Sequence, residues 1–298
     1  MSIFVFSILK GQNYQLQQFT FSTGSSLANP PLSSGYILQG SVFGVISGPE
    51  AQSAGYRLQP GFYLGPLLLE SPDGLLSLKV FLEGPFNSGS GQMNTDLHAA
   101  GLIPLAQPYN QLPWNYAGSE SVGSIPSGVV DWLLVELRDA PSAAQATSAT
   151  ILSGWPRAFF LKADGSITAL DGSNLPQLND LAFDHNLYVV VRHRNHLAVM
   201  SSGGLPKIDD SYTWDFTNAI TQAYMSGQKL IGAGAFGMFG GDGDANGQVQ
   251  TQDKNNVWNL QSGLSGYLQG DFDLNGQVQT QDKNNVWNPN SGIGTSVP

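Results

Sequence analysis

The chain has 298 residues, with 12 Lys and Arg against 22 Asp and Glu, a formal net charge of −10. Only 11% of its residues are charged and 41% are apolar, where an ordinary soluble domain carries roughly 25% charge, so this is a folded, turn-rich chain and no solvated acidic tail. Twelve scattered cations exclude the basic stripe of a nucleic-acid binder, and the lack of cysteine excludes disulfides, thiolate metal sites and cysteine nucleophiles.

Residues 1–11 contain the apolar run Ile3–Leu9, far short of the ~18 residues of a membrane span. It has neither a basic leader nor an A-x-A site before Gln12, which leaves two readings, a signal-peptide remnant or a structural strand. An isolated apolar strand aggregates. As a strand it adds either to the sheet edge of another copy or to a sheet of its own chain.

Residues 12–66 carry Tyr-x-Leu-Gln three times, at Tyr14–Gln17, Tyr36–Gln39 and Tyr56–Gln59. Tyr and Leu fall on one face of a strand, and Gly, Ser, Asn and Pro clusters separate the copies, which predicts a small antiparallel β module. Residues 67–239 read as the largest β unit. Strands are expected at Leu75–Leu82, Val129–Arg138, Ala158–Lys162, Tyr188–Val191 and Leu197–Met200, with turns at Ala163-Asp164-Gly165 and Asp171-Gly172-Ser173. Long helical periodicity is missing, so the fold class is mainly β, an antiparallel β-sandwich.

Residues 240–298 change character. The segments 241–259 and 270–288 differ at only two of nineteen positions. Each contains a twelve-residue loop of the pattern D-x-[DN]-x-[DN]-G-x5-[DE], the calcium loop of EF-hand type. In the first loop Asp242, Asp244 and Asn246 supply side-chain oxygens, Gln248 a backbone carbonyl, and Asp253 closes the ring. In the second the same roles fall to Asp271, Asp273, Asn275, Gln277 and Asp282. A tight loop aims only every second side chain inward, and Gly247 and Gly276 permit its sharp bend. Three carboxylates per site suit Ca2+, a hard cation that takes six to eight oxygens, better than Mg2+, which keeps its waters. Val249 and Val278 are expected to pair the loops or to face the core.

These residues carry a resemblance. The tandem of calcium loop and short helix over 241–290 resembles a type I dockerin repeat. The resemblance implies a small C-terminal module with two Ca2+ sites, and a cohesin-like partner at Thr251-Gln252 and Thr280-Gln281. Trp258 and Trp287, one in each helix, would instead dock on the chain's own β domain if the module were an internal cap. Residues 78–202 resemble a β-rich module of secreted bacterial surface proteins of haemagglutinin or adhesin type, which implies no catalytic role.

Other motifs are weaker. Gly232–Gly237 spells G-x-G-x-x-G, but a calcium loop follows where a dinucleotide site needs a helix, so a Gly-rich strand or linker is the better account. His193 and His196, three apart, are expected on opposite faces of a strand. The charges of Arg192–His196 are expected to pair with Asp131, Glu136 or Asp164. Trp114, Tyr116, Trp132, Trp155 and Trp214 offer either a glycan platform or core filling. No catalytic constellation stands out. The expectation is therefore a non-enzymatic, secreted or cell-surface calcium-binding protein. It either assembles with copies of itself into a fibre or surface layer, or anchors to a cohesin-like or glycan partner.

Overall fold

Twelve consecutive residues, Val129–Ala140, form the longest strand, and all but Asp139 are buried. A near-continuous apolar run of this kind is what a strand covered on both faces requires. In the computed structural model, which describes residues 51–53, 56–58, 74–179 and 181–298, this strand is the middle of a five-stranded antiparallel sheet. Asn186–His193 and then His196–Met200 lie to one side of it, Arg157–Lys162 and then Ile167–Thr168 to the other. The register sets Trp132 opposite Phe160, with ring centroids 4.1 Å apart.

A second sheet has the order Lys207–Ile208, Ser211–Asp215, Gly74–Lys79, Gln177–Leu178. Here the expectation of purely antiparallel pairing needs correction, because Ser211–Asp215 runs parallel to Gly74–Lys79. The two are separated by most of the body, and so long a connection can return its strand in the same direction. Both sheets feed one core, which includes Leu76, Leu78, Trp132, Leu133, Phe160 and Phe216. A satellite cluster of Tyr188, Val190, Ala198 and Met200 is covered by Ala146, Tyr224 and Val297. The protein is thus mainly β, with several antiparallel sheets.

The chain divides into two compact units, Met1–Leu69 and Glu70–Pro298. Within the first, Ala51–Ser53 and Tyr56–Leu58 pair antiparallel, so the third Tyr-x-Leu-Gln copy does supply a strand. Ile3–Leu9 and the other two copies lie outside the described residues. In the second, no chain division falls at 239/240. The duplicated loops belong to the same unit as the sheets, because Leu274 sits in the main core and Leu197 of the sheet sits in the core of the loops.

Gly232–Gly237 is a hairpin of Lys229–Gly232 and Ala235–Gly237. Ala233 and Gly234, both at positive φ (50° and 78°), make its two-residue turn. Trp132 is fully buried, whereas Trp114, Tyr116, Trp155 and Trp214 are partly buried and packed against the core. The indole of Trp214 donates to the carbonyl of Gln222, and Arg157 lies over Trp155.

Candidate metal centre

Each loop closes around its first carboxylate in the same way. Gly247 N donates to Asp242 Oδ2 at 3.0 Å, and Gly276 N to Asp271 Oδ2 at 2.9 Å. Asp253 receives Asp244 N and Gln250 N, and Asp282 receives Asp273 N and Gln279 N. Asn246 and Asn275 accept from the amides of Gln248 and Gln277. The outcome is two triads, Asp242, Asp244, Asp253 and Asp271, Asp273, Asp282, whose ligand oxygens all lie within 4.8 Å of one another. Gln248 and Gln277 are exposed. The fourth loop position was not legible in the sequence: Ala245 and Leu274 sit at φ 55° and 58°, a conformation non-glycine residues seldom adopt.

Burial and crowding make the charged form of the triad carboxyls unfavourable. Burial, then the neighbouring Asp253, pushes Asp242 up to about 7. Burial and the carboxylates of Asp282 and Asp271 push Asp273 up to about 8. Burial raises Asp253 and Asp271 to about 6 each, with Arg194 pulling Asp271 the other way, and it raises Asp282 as well. Asp242 Oδ1 is buried with no hydrogen-bond partner, the condition a carboxylate tolerates only when something else satisfies it. The donors are all oxygen. The residues therefore fit a metal ion, and two buried Asp triads make two sites that could hold one.

Around the loops the module has an approximate two-fold arrangement. Residues 251–261 and 280–290 are helical, with wide turns through Asp253–Trp258 and Asp282–Trp287. Trp258 Nε1 donates to Gln279 O of the other repeat, and Trp287 Nε1 to Gln250 O. Lys283 lies over Trp258 and Lys254 over Trp287. The tryptophans thus tie the repeats to each other. Val249 and Val278 are buried in this core. They do not pair with each other: Val249 bonds Gly292 and Ile293 beyond the second helix, and Val278 bonds Gly263 and Leu264 beyond the first. Thr251, Gln252, Thr280 and Gln281 are exposed.

The tip of the 186–200 hairpin docks this module on the sheet, a role the sequence did not reveal. Asn195 Nδ2 donates to the carbonyls of Gln269 and Asp271. Arg194 donates to the Leu268 carbonyl and, at 3.0 Å, to Asp131 Oδ2. Asp131 also receives Tyr267 Oη at 2.6 Å. Burial alone would raise Asp131, but Arg194, His193 and Tyr267 together hold it at about 2. The expected pairing with Asp131 is present, and Glu136 holds Arg138 and Arg192. Asp164 instead caps its own turn by accepting from Ser166.

His193 and His196 are not on opposite faces. The Arg194-Asn195 turn makes them cross-strand partners, and their Nδ1 atoms lie 3.0 Å apart. Gly84 N donates to His196 Nε2, which leaves the proton on Nδ1, where Asn195 Oδ1 at 2.9 Å and His193 Nδ1 are both in reach as acceptors. His193 Nε2 then donates to Asp131 Oδ2 at 3.1 Å. Burial lowers both imidazoles, His196 well below its ordinary value. A cleft of about 120 Å³ beside the first loop is lined by Arg192, His193, His196, Asp242 and Asn246, among others.

No family model matches the chain, and no curated protein or solved structure resembles it significantly. What the fold and the site define is a mainly β protein with two candidate metal loops packed in the same unit as its sheets.

Proposed function

We propose that the chain is a non-enzymatic calcium-binding structural protein, secreted or displayed at the cell surface. In this reading residues 240–298 are a dockerin-like module fastened to a β-sandwich body. The observation that carries it is the pair of buried, oxygen-only Asp triads, of which Asp242 keeps a buried oxygen with no protein partner. Residues 241–288 hold six Asp against two Lys, a net of −4, which two divalent cations neutralise. Extracellular modules of this kind bind calcium at about 10⁻⁴–10⁻³ M. Calorimetric titration of the metal-depleted protein tests the proposal, with two Ca2+ bound per chain and weaker binding of Mg2+ expected. Absence of calcium heat, together with a melting curve indifferent to chelator, would refute it.

Two kinds of partner extend this reading. The exposure of Thr251-Gln252 and Thr280-Gln281, beside ligands that are mostly buried, favours an external partner over an internal cap. Alanine at all four positions should abolish capture of a cohesin-like partner and leave calcium stoichiometry at two. Self-assembly into a fibre or surface layer is the other proposed role, with a strand from residues 3–9 added to the next subunit. Deleting residues 1–11 should then remove assemblies from electron micrographs, and unchanged assemblies would end the donor-strand idea.

A further inference from the structure

Three polar side chains from separate parts of the second unit meet beneath the metal module, and the loops use none of them. Glu83 follows the strand Gly74–Lys79, Lys229 opens the Lys229–Gly232 strand, and Asn290 ends the second helix. Lys229 Nζ donates to Asn290 Oδ1 at 2.8 Å and is ion-paired to Glu83 Oε1. Asn290 Nδ2 donates to Glu83 Oε2 at 2.5 Å and to Gly240 O at 2.8 Å. Gly240 N holds Glu83 Oε2 from the other side at 3.1 Å. Two acceptors around Nδ2 and one ammonium at Oδ1 determine which way the amide faces.

The site is dry. Asn290 is fully buried, and the side chains of Glu83 and Lys229 are 10% and 27% exposed. An amine, a carboxamide and a carboxylate that touches both are the parts of an amide-exchange reaction: a nucleophile, an electrophile and a proton carrier. Holding them together makes the encounter intramolecular. In the first repeat the equivalent of Asn290 is Gln261, whose Oε1 merely accepts from Gly270 N at 2.7 Å. The lysine and the carboxylate are what set the second corner apart.

We propose that Lys229 and Asn290 become joined by an isopeptide bond, with Glu83 as the general acid–base. Glu83 takes a proton from the Lys229 ammonium, and the freed Nζ lone pair adds to Asn290 Cγ, pushing the C=O electron pair onto Oδ1. Glu83 delivers that proton to Nδ2 and accepts a second one from Nζ. Oδ1 reforms the carbonyl, the Cγ–Nδ2 bond breaks and ammonia leaves, taking the last proton from Glu83 as ammonium. No atom changes oxidation state. The product is a secondary amide spanning 61 positions of sequence, across a segment that contains both metal loops. In a chain without cysteine, this is a covalent staple for the module that does not depend on metal.

Intact mass spectrometry of the purified full chain under denaturing conditions tests this directly. The wild type should weigh less than its sequence by about 17 Da, the mass of one ammonia. Peptide mapping should recover a branched peptide joining Lys229 to Asn290. The variants E83Q, K229A and N290A should each keep the full sequence mass. Asn246-Gly247 and Asn275-Gly276 can also lose ammonia, by forming succinimides. A loss that persists in K229A, or that maps to those positions, therefore overturns the proposal. A wild-type chain at its sequence mass overturns it too, whether or not any variant folds. A linkage that still forms in E83Q removes the role given to Glu83.

Discussion

The two metal loops are almost the same peptide in different surroundings. Asp242, Ala245, Asn246 and Gly247 of the first line a cleft. The second is packed against the body: Arg194 acts on Asp271, Asn195 bonds its backbone, and a Cβ on Gly276 would meet Leu102 at 2.8 Å. The two positions at which the repeats differ account for this. Gly243 of the first loop corresponds to Phe272 of the second, and Ala245 to Leu274. Phe272 is fully buried in the module core and Leu274 is 2% exposed in the main core. A Cβ on Gly243 would stand 3.2 Å from the Phe272 ring, so one bulky residue fills the space between the repeats and two would collide. A Cβ on Gly84 would meet Phe272 O at 1.9 Å, which shows how closely the second loop lies on the body. Ligand geometry is thus a local property of the repeat, whereas the difference in packing follows Phe272 and Leu274, which take no part in it, beside the contacts of Arg194 and Asn195.

Replacing Phe272 with Ala should break the comparison most severely, since emptying a buried aromatic site costs about 3–5 kcal/mol. Denaturant unfolding measures it, and Ala245→Gly at the cleft side should cost far less. Metal removal comes next. At a hundred times Kd each site contributes about 2.7 kcal/mol, so chelation should lower the melting temperature and melt residues 241–290 before the sheets, as seen by hydrogen exchange. Stopped-flow chelation should show two release phases, the faster from the cleft-facing first loop. Asp253→Asn should delete that phase and leave the slow one.

The pH response should then separate the loops from the hairpin tip. Without metal, Asp273 and Asp242 have folded values of about 8 and about 7, well above the ~4 of an unfolded carboxyl. The folded state therefore binds the extra protons, and chelated protein should gain stability as pH falls from about 8 to about 6.5. Below about 6.5 the depressed His193 and His196 act the other way, because the unfolded imidazoles charge and the folded ones do not. With calcium saturating, protons compete with the ion and the upper limb should reverse sign. Asp131, held at about 2, contributes on the order of 2 kcal/mol that is present above about pH 4 and lost as pH falls toward 2. Thermal melts at stepped pH, with and without chelator, measure all of these. The smallest effect is expected at the module surface, where Thr251→Ala with Gln252→Ala should change stability by no more than about 0.5 kcal/mol.

Much of this was legible in the chain because it rests on short-range pattern. Spacing alone brought Asp242, Asp244 and Asp253 together, and likewise Asp271, Asp273 and Asp282, since a glycine-bent loop of twelve residues can aim alternate side chains at one point. Continuous or alternating apolar runs located five of the nine strands of the two large sheets to within a few residues, and missed the short ones and Ser211–Asp215. The histidine faces were misread because strand alternation was carried through Arg194-Asn195, where the chain in fact turns. The parallel pairing of Ser211–Asp215 with Gly74–Lys79 left no local mark.

By itself the sequence determined a weakly charged, mainly β chain ending in two oxygen-lined loops, because strand period and loop spacing are encoded within a few residues of one another. Only the tertiary structure decided that the loops share a unit with the sheet, that one faces a cleft while the other is packed, and that Arg194 touches Asp131. It alone set Glu83 between Lys229 and Asn290. Such contacts join residues tens to hundreds of positions apart, and their chemistry exists only once burial removes water and leaves those groups to one another.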